Sequence, residues 1–444
     1  MTFWRGKSAT ALGEAIGRGE VSPLWLAEDF LAAIRAHPAG DRIYARLTPD
    51  RALAEAEAAT RRAKAGQRLS PLDGVPLSWK DLFDSAGTAT EAGSRLLEGR
   101  VPGEDAQVLK AATLLGTVCL GKTHMTELAF SGLGLNPMTA TPPNVNDPQL
   151  VPGGSSSGAA TSVAFDLAPA AVGSDTGGSV RLPAAWNNLV GLKTTRGLLP
   201  MAGVVPLAAS FDTIGPLTRT VEDAALILAL LQGAPAADLR GASLHGARLM
   251  VLETVALDDC ADAPRAAFET AVARLADAGA TVVRAPIPEL TEAMTLAPVL
   301  FSTEAYATWR DRIEAEPDKM YPPIRERFRS GAGFSAADYI AAWQRLSALR
   351  AGWMARAAGF DAVLTPTSAI LPPDAARLQQ DADYFTRQNL LALRNTRIGN
   401  LMGLCGLTLP TGTPACGITL LAGPMQERAL LRLGAAAEAA LVAG

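Results

Sequence analysis

The chain has 444 residues, with 40 Lys and Arg against 44 Asp and Glu for a formal net charge of −4, and is 48% hydrophobic and 19% charged. That composition excludes disordered, collagen-like and coiled-coil classes, and it offers no basic excess to hold a phosphate backbone, so nucleic acid is not an expected partner. Length sets a prior of two to three domains of roughly 150 residues, although large α/β enzymes also fold as one unit.

Residues 1–66 predict helices. LWLAEDFLAAIRA and RALAEAEAATRRAKAG are rich in Ala and Leu with charges spaced for one wet face, and Gly66 stops the second. Over 71–232 the texture changes to short apolar runs separated by Gly, Ser, Pro and Asp, the pattern of buried strands alternating with helices. VPLSWK predicts a strand ending at Lys80, 105–115 a helix stopped by Gly116, TVCL a buried strand behind it, and 220–231 a closing helix. ARLMVLE, a helix over 263–278 and ATVVRAPIP then make a βαβ rhythm. Over 290–350 the chain becomes more aromatic, with Phe301, Tyr306, Trp309, Phe328 and Trp343 among others, and predicts a helical cap or a pocket wall. In 360–444, FDAVLTPT and GLTLPTG return to strands running into Pro/Thr turns. There is no internal repeat and no low-complexity linker, so one α/β domain over 1–444 with a helical N-terminal region is expected.

Cys119, Cys260, Cys405 and Cys416 form no CxxC pair, which points to free thiols rather than a zinc ribbon or a disulfide frame. Arg5, Lys7, Glu14 and Glu20 interrupt the stretch where an export signal needs an apolar run. With no apolar run of about 18 residues either, a cytoplasmic protein without membrane association is expected.

Three motifs compete for the chemistry. GTVCLGKT, 116–123, satisfies the phosphate-loop pattern, which would make Lys122 a nucleotide ligand in an ATP-binding protein. A phosphate cradle follows a strand and is flexible between its glycines, whereas here a helix precedes Gly116 and the intervening residues are strand-formers, so a strand edge is expected instead. GSSSG, 154–158, satisfies the nucleophile-elbow pattern with Ser156 at its centre, but that device needs an acid and then a histidine downstream. Only His245 follows it, while His37 and His124 precede it, and the approach NVNDPQLVPG is polar rather than an apolar strand. The three histidines offer no ligand spacing for a metal.

The third pattern joins two Gly/Ser loops to one lysine. GGSSSGAATSVAF and GSDTGGSVRLPAAW each place Gly and Ser before a helix-like segment, where unpaired backbone N–H groups gather into an oxyanion binder. Lys80 ends an apolar strand whose alternation sends Trp79 and Asp81 to the other face. Taken alone, such a lysine reads as an edge residue reaching solvent; inside the protein it is costly unless neutral or partnered.

The stretch VPGGSSSGAATSVAFDLAPAAVGSDTGGSVRLPAAWNNLVGLKTTRG, 151–197, carries a resemblance to a known family, supported by LDGVPLSWKD, GKTHMTELAFSGLGLNP and SFDTIGPLTRTVEDAA and weakly by FDAVLTPT and GLTLPTG. Together these segments resemble the amidase-signature hydrolases, built on a Ser-Ser-Lys arrangement. The resemblance implies a central mixed β-sheet flanked by helices, no cofactor and no metal. It implies Ser179 as nucleophile, Ser155 as a bridging serine on a cis peptide bond, and Lys80 as base. Phe130 and Ser131 match a segment that lines the acyl site in the family, and 240–350 is where such enzymes differ in substrate. The implied reaction is hydrolysis of a small amide, anilide or carbamate (urethane). An alternative within the family is the glutamine-hydrolysing subunit of a tRNA-dependent amidotransferase, disfavoured by the shortness of this chain. A monomer or homodimer is expected.

The chemistry agrees with that implication. A neutral Lys80 amine accepts a proton from Ser155, which accepts one from Ser179, and no histidine is needed. Moving a lysine pKa from about 10.4 to near 8 corresponds to about 3 kcal/mol of destabilised ammonium, within reach of apolar burial. The developing oxyanion would be held by the N–H groups of Thr176, Gly177, Gly178 and Ser179. Asp175 and Arg181 read as a salt bridge that pins this loop, with an acidic substrate as the alternative partner of Arg181; Ser156 and Ser157 read as loop hydrogen-bonders, and Thr123 and Glu127 as structural. Trp79 and His124 depart from the family pattern, which more often has an aliphatic residue and Asn there. The aromatic residues over 296–343 suit an apolar amide, anilide or carbamate, and equally suit a core.

Overall fold

The structure, a computed structural model, describes residues 3–442. Its strands are β1 Tyr44–Leu47, β2 Pro76–Lys80, β3 Val118–Thr123, β4 Ala171–Ser174, β5 Val190–Lys193, β6 Ile214–Thr218, β7 Arg248–Leu252, β8 Thr281–Ala285, β9 Ala362–Pro366, β10 Cys405–Pro410 and β11 Gly417–Ala422. They form one sheet in the order β1-β3-β2-β4-β6-β5-β10-β11-β9-β7-β8. The sheet is mixed: β2 runs parallel to both β3 and β4, β7 parallel to β8 and β9, and the remaining pairs are antiparallel.

β2, β3 and β4 are parallel strands of a covered sheet, buried along their whole length, which is why they read as unbroken runs rather than as alternation. The predicted helices at the N-terminus appear as Pro23–Ala36 and Pro49–Lys64, joined by Ala9–Gly17. Rather than an appendage, they belong to the main body: Leu12, Phe30 and Ile34 lie in the same apolar cluster that reaches Leu441. Asp223, in helix Val221–Gln232, accepts the N–H groups of Ala9 and Thr10 at 3.1 and 2.8 Å and so caps the first helix from across the fold.

The expected helical layer over the aromatic segment is present as Thr303–Ala315, Pro322–Arg329 and Ala336–Ala357. Among the elements the sequence reading did not place are β1, β4, β5, β6, β11 and the helices Ala382–Leu401 and Glu427–Val442. β11 is the hairpin partner of β10, paired from Cys405↔Ala422 to Pro410↔Gly417. Among the described residues no helix is long and apolar enough to cross a membrane. The carboxyl ends of β2 and β4, third and fourth in the strand order, lie side by side, and it is outside such ends that open α/β sheets hold their ligands.

Candidate active site

Lys80 is the last residue of β2 and is 0% exposed. Its Nζ donates to Ser155 Oγ at 2.7 Å and to Ser174 Oγ, at the end of β4, at 2.9 Å. Burial pulls the ammonium down to about 7, against the opposing pull of Asp175 and then Asp212. The edge-lysine alternative is therefore excluded: this amine sits in the interior among hydroxyls.

The first Gly/Ser loop is seated on the segment after β3. Gly154 N–H donates to Gly132 O at 2.6 Å, and Thr126 N–H donates to Ser155 O at 3.1 Å. A Cβ on Gly154 would meet Thr126 Oγ1 at 2.6 Å and Gly134 N at 2.7 Å, so only glycine fits. The Gly154–Ser155 peptide bond is cis. Ser156, the elbow candidate, is buried with its hydroxyl donating to Ser174 O at 3.2 Å and accepting Ser174 N–H at 3.4 Å, which ties the loop to β4 and leaves no path to a substrate. Ser157 Oγ donates to His124 O at 3.4 Å.

The second loop follows β4. Asp175 is fully buried and receives N–H bonds from Gly178 at 2.8 Å and Val180 at 3.2 Å, two from the Arg181 guanidinium at 3.0 Å, and one from Asn400 at 2.9 Å. Burial works against its ionisation, but the Arg181 charge and these donors hold the carboxyl far below the usual carboxylate range. The expected salt bridge is thus present, and its second anchor is Asn400, whose Oδ1 accepts from Arg181 at 2.6 Å. Thr396 Oγ1 donates to Gly177 O at 2.8 Å, and Asp212 accepts from Thr176 Oγ1 at 2.6 Å and from Leu207 N–H at 2.9 Å.

One expectation needs correction. Gly178 N–H points at the Asp175 carboxylate and is not available to a substrate oxygen. The N–H groups of Thr176, Gly177 and Ser179 have no acceptor among the described residues. Gly178 is required for a different reason: its φ is +137° and a Cβ there would lie 2.0 Å from Thr396 Oγ1.

Ser179 is 4% exposed and opens onto a cavity lined by Phe130, Ser131, Thr176, Gly177, Phe301 and Leu393, with Arg327 and Arg397 beside them. Phe130 and Ser131 thus share a cavity with Ser179. Ser131 Oγ donates to Asn389 Oδ1 at 3.0 Å, which fixes that segment to the helix Ala382–Leu401. Ser156 N–H donates to Ser179 O at 3.3 Å, bringing the two loops together, but no hydrogen bond joins the Ser179 and Ser155 hydroxyls among the described residues. Of the aromatic residues over 296–343, Phe301 reaches the cavity while stacking on Phe211 at 4.1 Å, and Trp309 and Phe328 are buried in the main apolar cluster.

Lys122 lies inside β3 with 0% exposure, 3.2 Å from Asp81 and 2.8 Å from Thr90 Oγ1, so 116–123 is no phosphate cradle. Among the described residues no group of three His, Cys, Asp or Glu could hold a metal ion. Trp79 is buried edge-on against Phe83 at 5.3 Å, and its Nε1–H has no partner. Sequence reasoning missed Ser174, Asp212, Thr396, Asn400, Arg327 and Arg397. Ser174 lies within GSDTGGS and was legible as the polar end of a strand neighbouring Lys80; the others carry no local signal.

A mixed-sheet α/β fold with paired Gly/Ser loops around a buried lysine is that of a hydrolase acting on carbon–nitrogen bonds, not of a nucleotide-binding protein. Residues 26–431 match the family described as Amidase, and the chain belongs to it, the amidase-signature family. The 2-amino-5-chloromuconic acid deaminase of Comamonas testosteroni is 39% identical over 393 residues, covering 85% of this chain and 84% of that protein. A glutamyl-tRNA(Gln) amidotransferase subunit of Chloroflexus aggregans (strain MD-66 / DSM 9485) is 32% identical over 472 residues, covering 98% of this chain and 96% of that one. A crystal structure of an amidase superposes with a TM-score of 0.89 at 29% identity, covering 98% of this chain and 99% of that one.

Proposed function

We propose that the protein cleaves the C–N bond of a small non-peptide amide, anilide or carbamate through a serine acyl-enzyme, with Lys80, Ser155 and Ser179 as the proton relay. The observation that carries this reading is Lys80, a fully buried amine pulled to about 7 and hydrogen-bonded to Ser155. Near neutral pH a large share of that amine is uncharged, so its lone pair accepts the Ser155 proton while Ser155 Oγ takes the proton of Ser179. Ser174 Oγ, accepting from Lys80 at 2.9 Å, holds the amine in place.

Ser179 Oγ forms a bond to the carbonyl carbon, and the displaced electron pair settles on oxygen, facing the free N–H groups of Thr176, Gly177 and Ser179. The C–N bond then breaks with its pair on nitrogen, and the proton stored on Lys80 returns through Ser155 to the departing amine. Water repeats the sequence in reverse, releasing the acid and restoring Ser179. The link from Ser179 to Ser155 is the loosest of the relay, and such bonds commonly tighten when substrate fills the pocket.

Acid quench of an aryl amide or aryl carbamate reaction, followed by peptide mass analysis, tests this reading. The Ser179 peptide is expected to carry the acyl group. Turnover with no adduct there, and an undiminished Ser179→Ala variant, overturns it. The second reading, a glutamine-hydrolysing amidotransferase subunit, draws support from similarity over 98% of this chain and 96% of such a subunit, so the length of the chain does not count against it as the sequence alone suggested. Ammonia release from glutamine against release from an aryl amide, both without partner subunits, separates the two.

A further inference from the structure

Two cations line the Ser179 cavity, and the relay uses neither of them. Arg327 comes from helix Pro322–Arg329 and Arg397 from helix Ala382–Leu401. Arg397 is only 9% exposed, and its guanidinium has no hydrogen bond or ion pair among the described residues. Arg327 Nε is enclosed with no partner, and its guanidinium lies 4.5 Å from the centroid of the Phe130 ring. Together with Phe301, both arginines also line the larger outer cleft, so they stand where that cleft narrows onto the nucleophile.

Arg181 shows how this protein treats a buried guanidinium that holds the fold together, since Asp175 and Asn400 both brace it. Arg327 and Arg397 have no such brace. Burial, and then the proximity of Arg397, pulls Arg327 down to about 9, and burial pulls Arg397 down to about 10, with no carboxylate offsetting either. The acids near the cleft are Glu326 and Asp383, both exposed and absent from the lining of the inner cavity. Glu326 is already engaged by Arg325 at 3.0 Å and Arg329 at 3.2 Å. Desolvating two neighbouring cations without a counter-ion is costly, and the cost is repaid when an anion arrives with its own charge.

We propose that Arg327 and Arg397 receive a carboxylate carried by the substrate at the end remote from the scissile carbonyl, so that the substrates are monoamides of short dicarboxylic acids. Phe130, Phe301 and Leu393 then line the methylene chain between the two ends. An α-ammonium group, as in glutamine, would find no carboxylate in the inner cavity and two cations beside it. Which bond is cut rests on the acyl-enzyme reading above; the anion site does not.

Ammonia release is compared for three amides of one chain length: glutaramate, pentanamide and glutamine. The expected kcat/KM for glutaramate exceeds both others by about 100-fold, and Arg397→Gln collapses the glutaramate-to-pentanamide ratio toward one, with partial rescue in Arg397→Lys. Equal use of glutaramate and pentanamide by the wild type, or an unchanged ratio in Arg397→Gln, overturns the proposal. Glutarate, which has no bond to cut, is then titrated by thermal shift. It is expected to raise the melting temperature of the wild type and not of Arg397→Gln. If no amide is turned over but glutarate still binds through Arg397, the hydrolytic reading falls and the anion site stands; absence of glutarate binding sinks the site. Without glutarate, Arg397→Gln is expected to melt no lower than the wild type, because it loses an uncompensated cation. A clear drop marks Arg397 as structural and overturns the assignment.

Discussion

Lys80 Nζ lies 2.7 Å from Ser155 Oγ across 75 residues of sequence, with both side chains fully buried. In the proposed relay, an amine enclosed in this way must lose its proton before it can act as the base. Activity is therefore expected to rise with pH through about 7 and then level off, falling about tenfold per unit on the acid side. Lys80→Met is expected to lower kcat by about 10³-fold. Because the folded pKa is depressed, protonation opposes folding: the penalty begins below the unfolded value of about 10.4 and is complete below about 7. The variant should accordingly melt no lower than the wild type at neutral pH. A flat pH–rate profile, or near-normal turnover by the variant, would place the base elsewhere.

A serine-directed fluorophosphonate is expected to add its mass to the peptide containing Ser179. Ser179→Ala abolishes labelling and lowers turnover by at least about 10⁴-fold. Ser156→Ala keeps the label, since that hydroxyl is committed to the backbone of Ser174. Label recovered on Ser156 would transfer the nucleophile to the elbow.

Asn400 holds both members of the Asp175–Arg181 pair. Asn400→Leu leaves those charges short of a donor and an acceptor, with an expected loss of about 1 to 3 kcal/mol in urea unfolding and a fall in kcat larger than the rise in KM. Unchanged kcat would mean that the loop keeps its shape without this brace.

Gly178→Ala puts a methyl group 2.0 Å from Thr396 Oγ1 at a φ of +137°. The loop bearing Thr176, Gly177 and Ser179 must shift, so hydrolysis and fluorophosphonate labelling are both expected to disappear. Retention of either property shows that the loop tolerates displacement.

Lys122→Ala removes a buried partner of Asp81 while Arg46 remains 2.9 Å from that carboxylate. The expected effect is a stability loss of about 2 kcal/mol, below the usual range for breaking a buried pair because one partner survives. Calorimetry with ATP and magnesium is expected to show no saturable binding in either protein. Tight binding that the substitution abolishes would revive the nucleotide reading.

The readable parts of the fold were those encoded over short distances. Pro76–Lys80, Val118–Thr123 and Arg248–Leu252 are apolar runs bounded by turn residues, and Pro49–Lys64 carries its own helical charge spacing. β1, only four residues long, was unreadable because its identity comes from pairing with β3. At the site, Lys80, Ser155, Asp175 and Ser179 were visible because they sit in dense local motifs. Gly178 was given the wrong role, because only the fold reveals that Asp175 claims its N–H. Arg327 and Arg397 carry no local signal in their helices, and only tertiary packing brings them together at the cavity.

Asp175 and Asn400 are separated by 225 residues. On the ribosome, the loop bearing Ser179 emerges long before the helix that clamps it, so a chain cut between the two carries Lys80, Ser155 and Ser179 without the brace on Asp175. A chain that ends anywhere before that helix lacks the same brace.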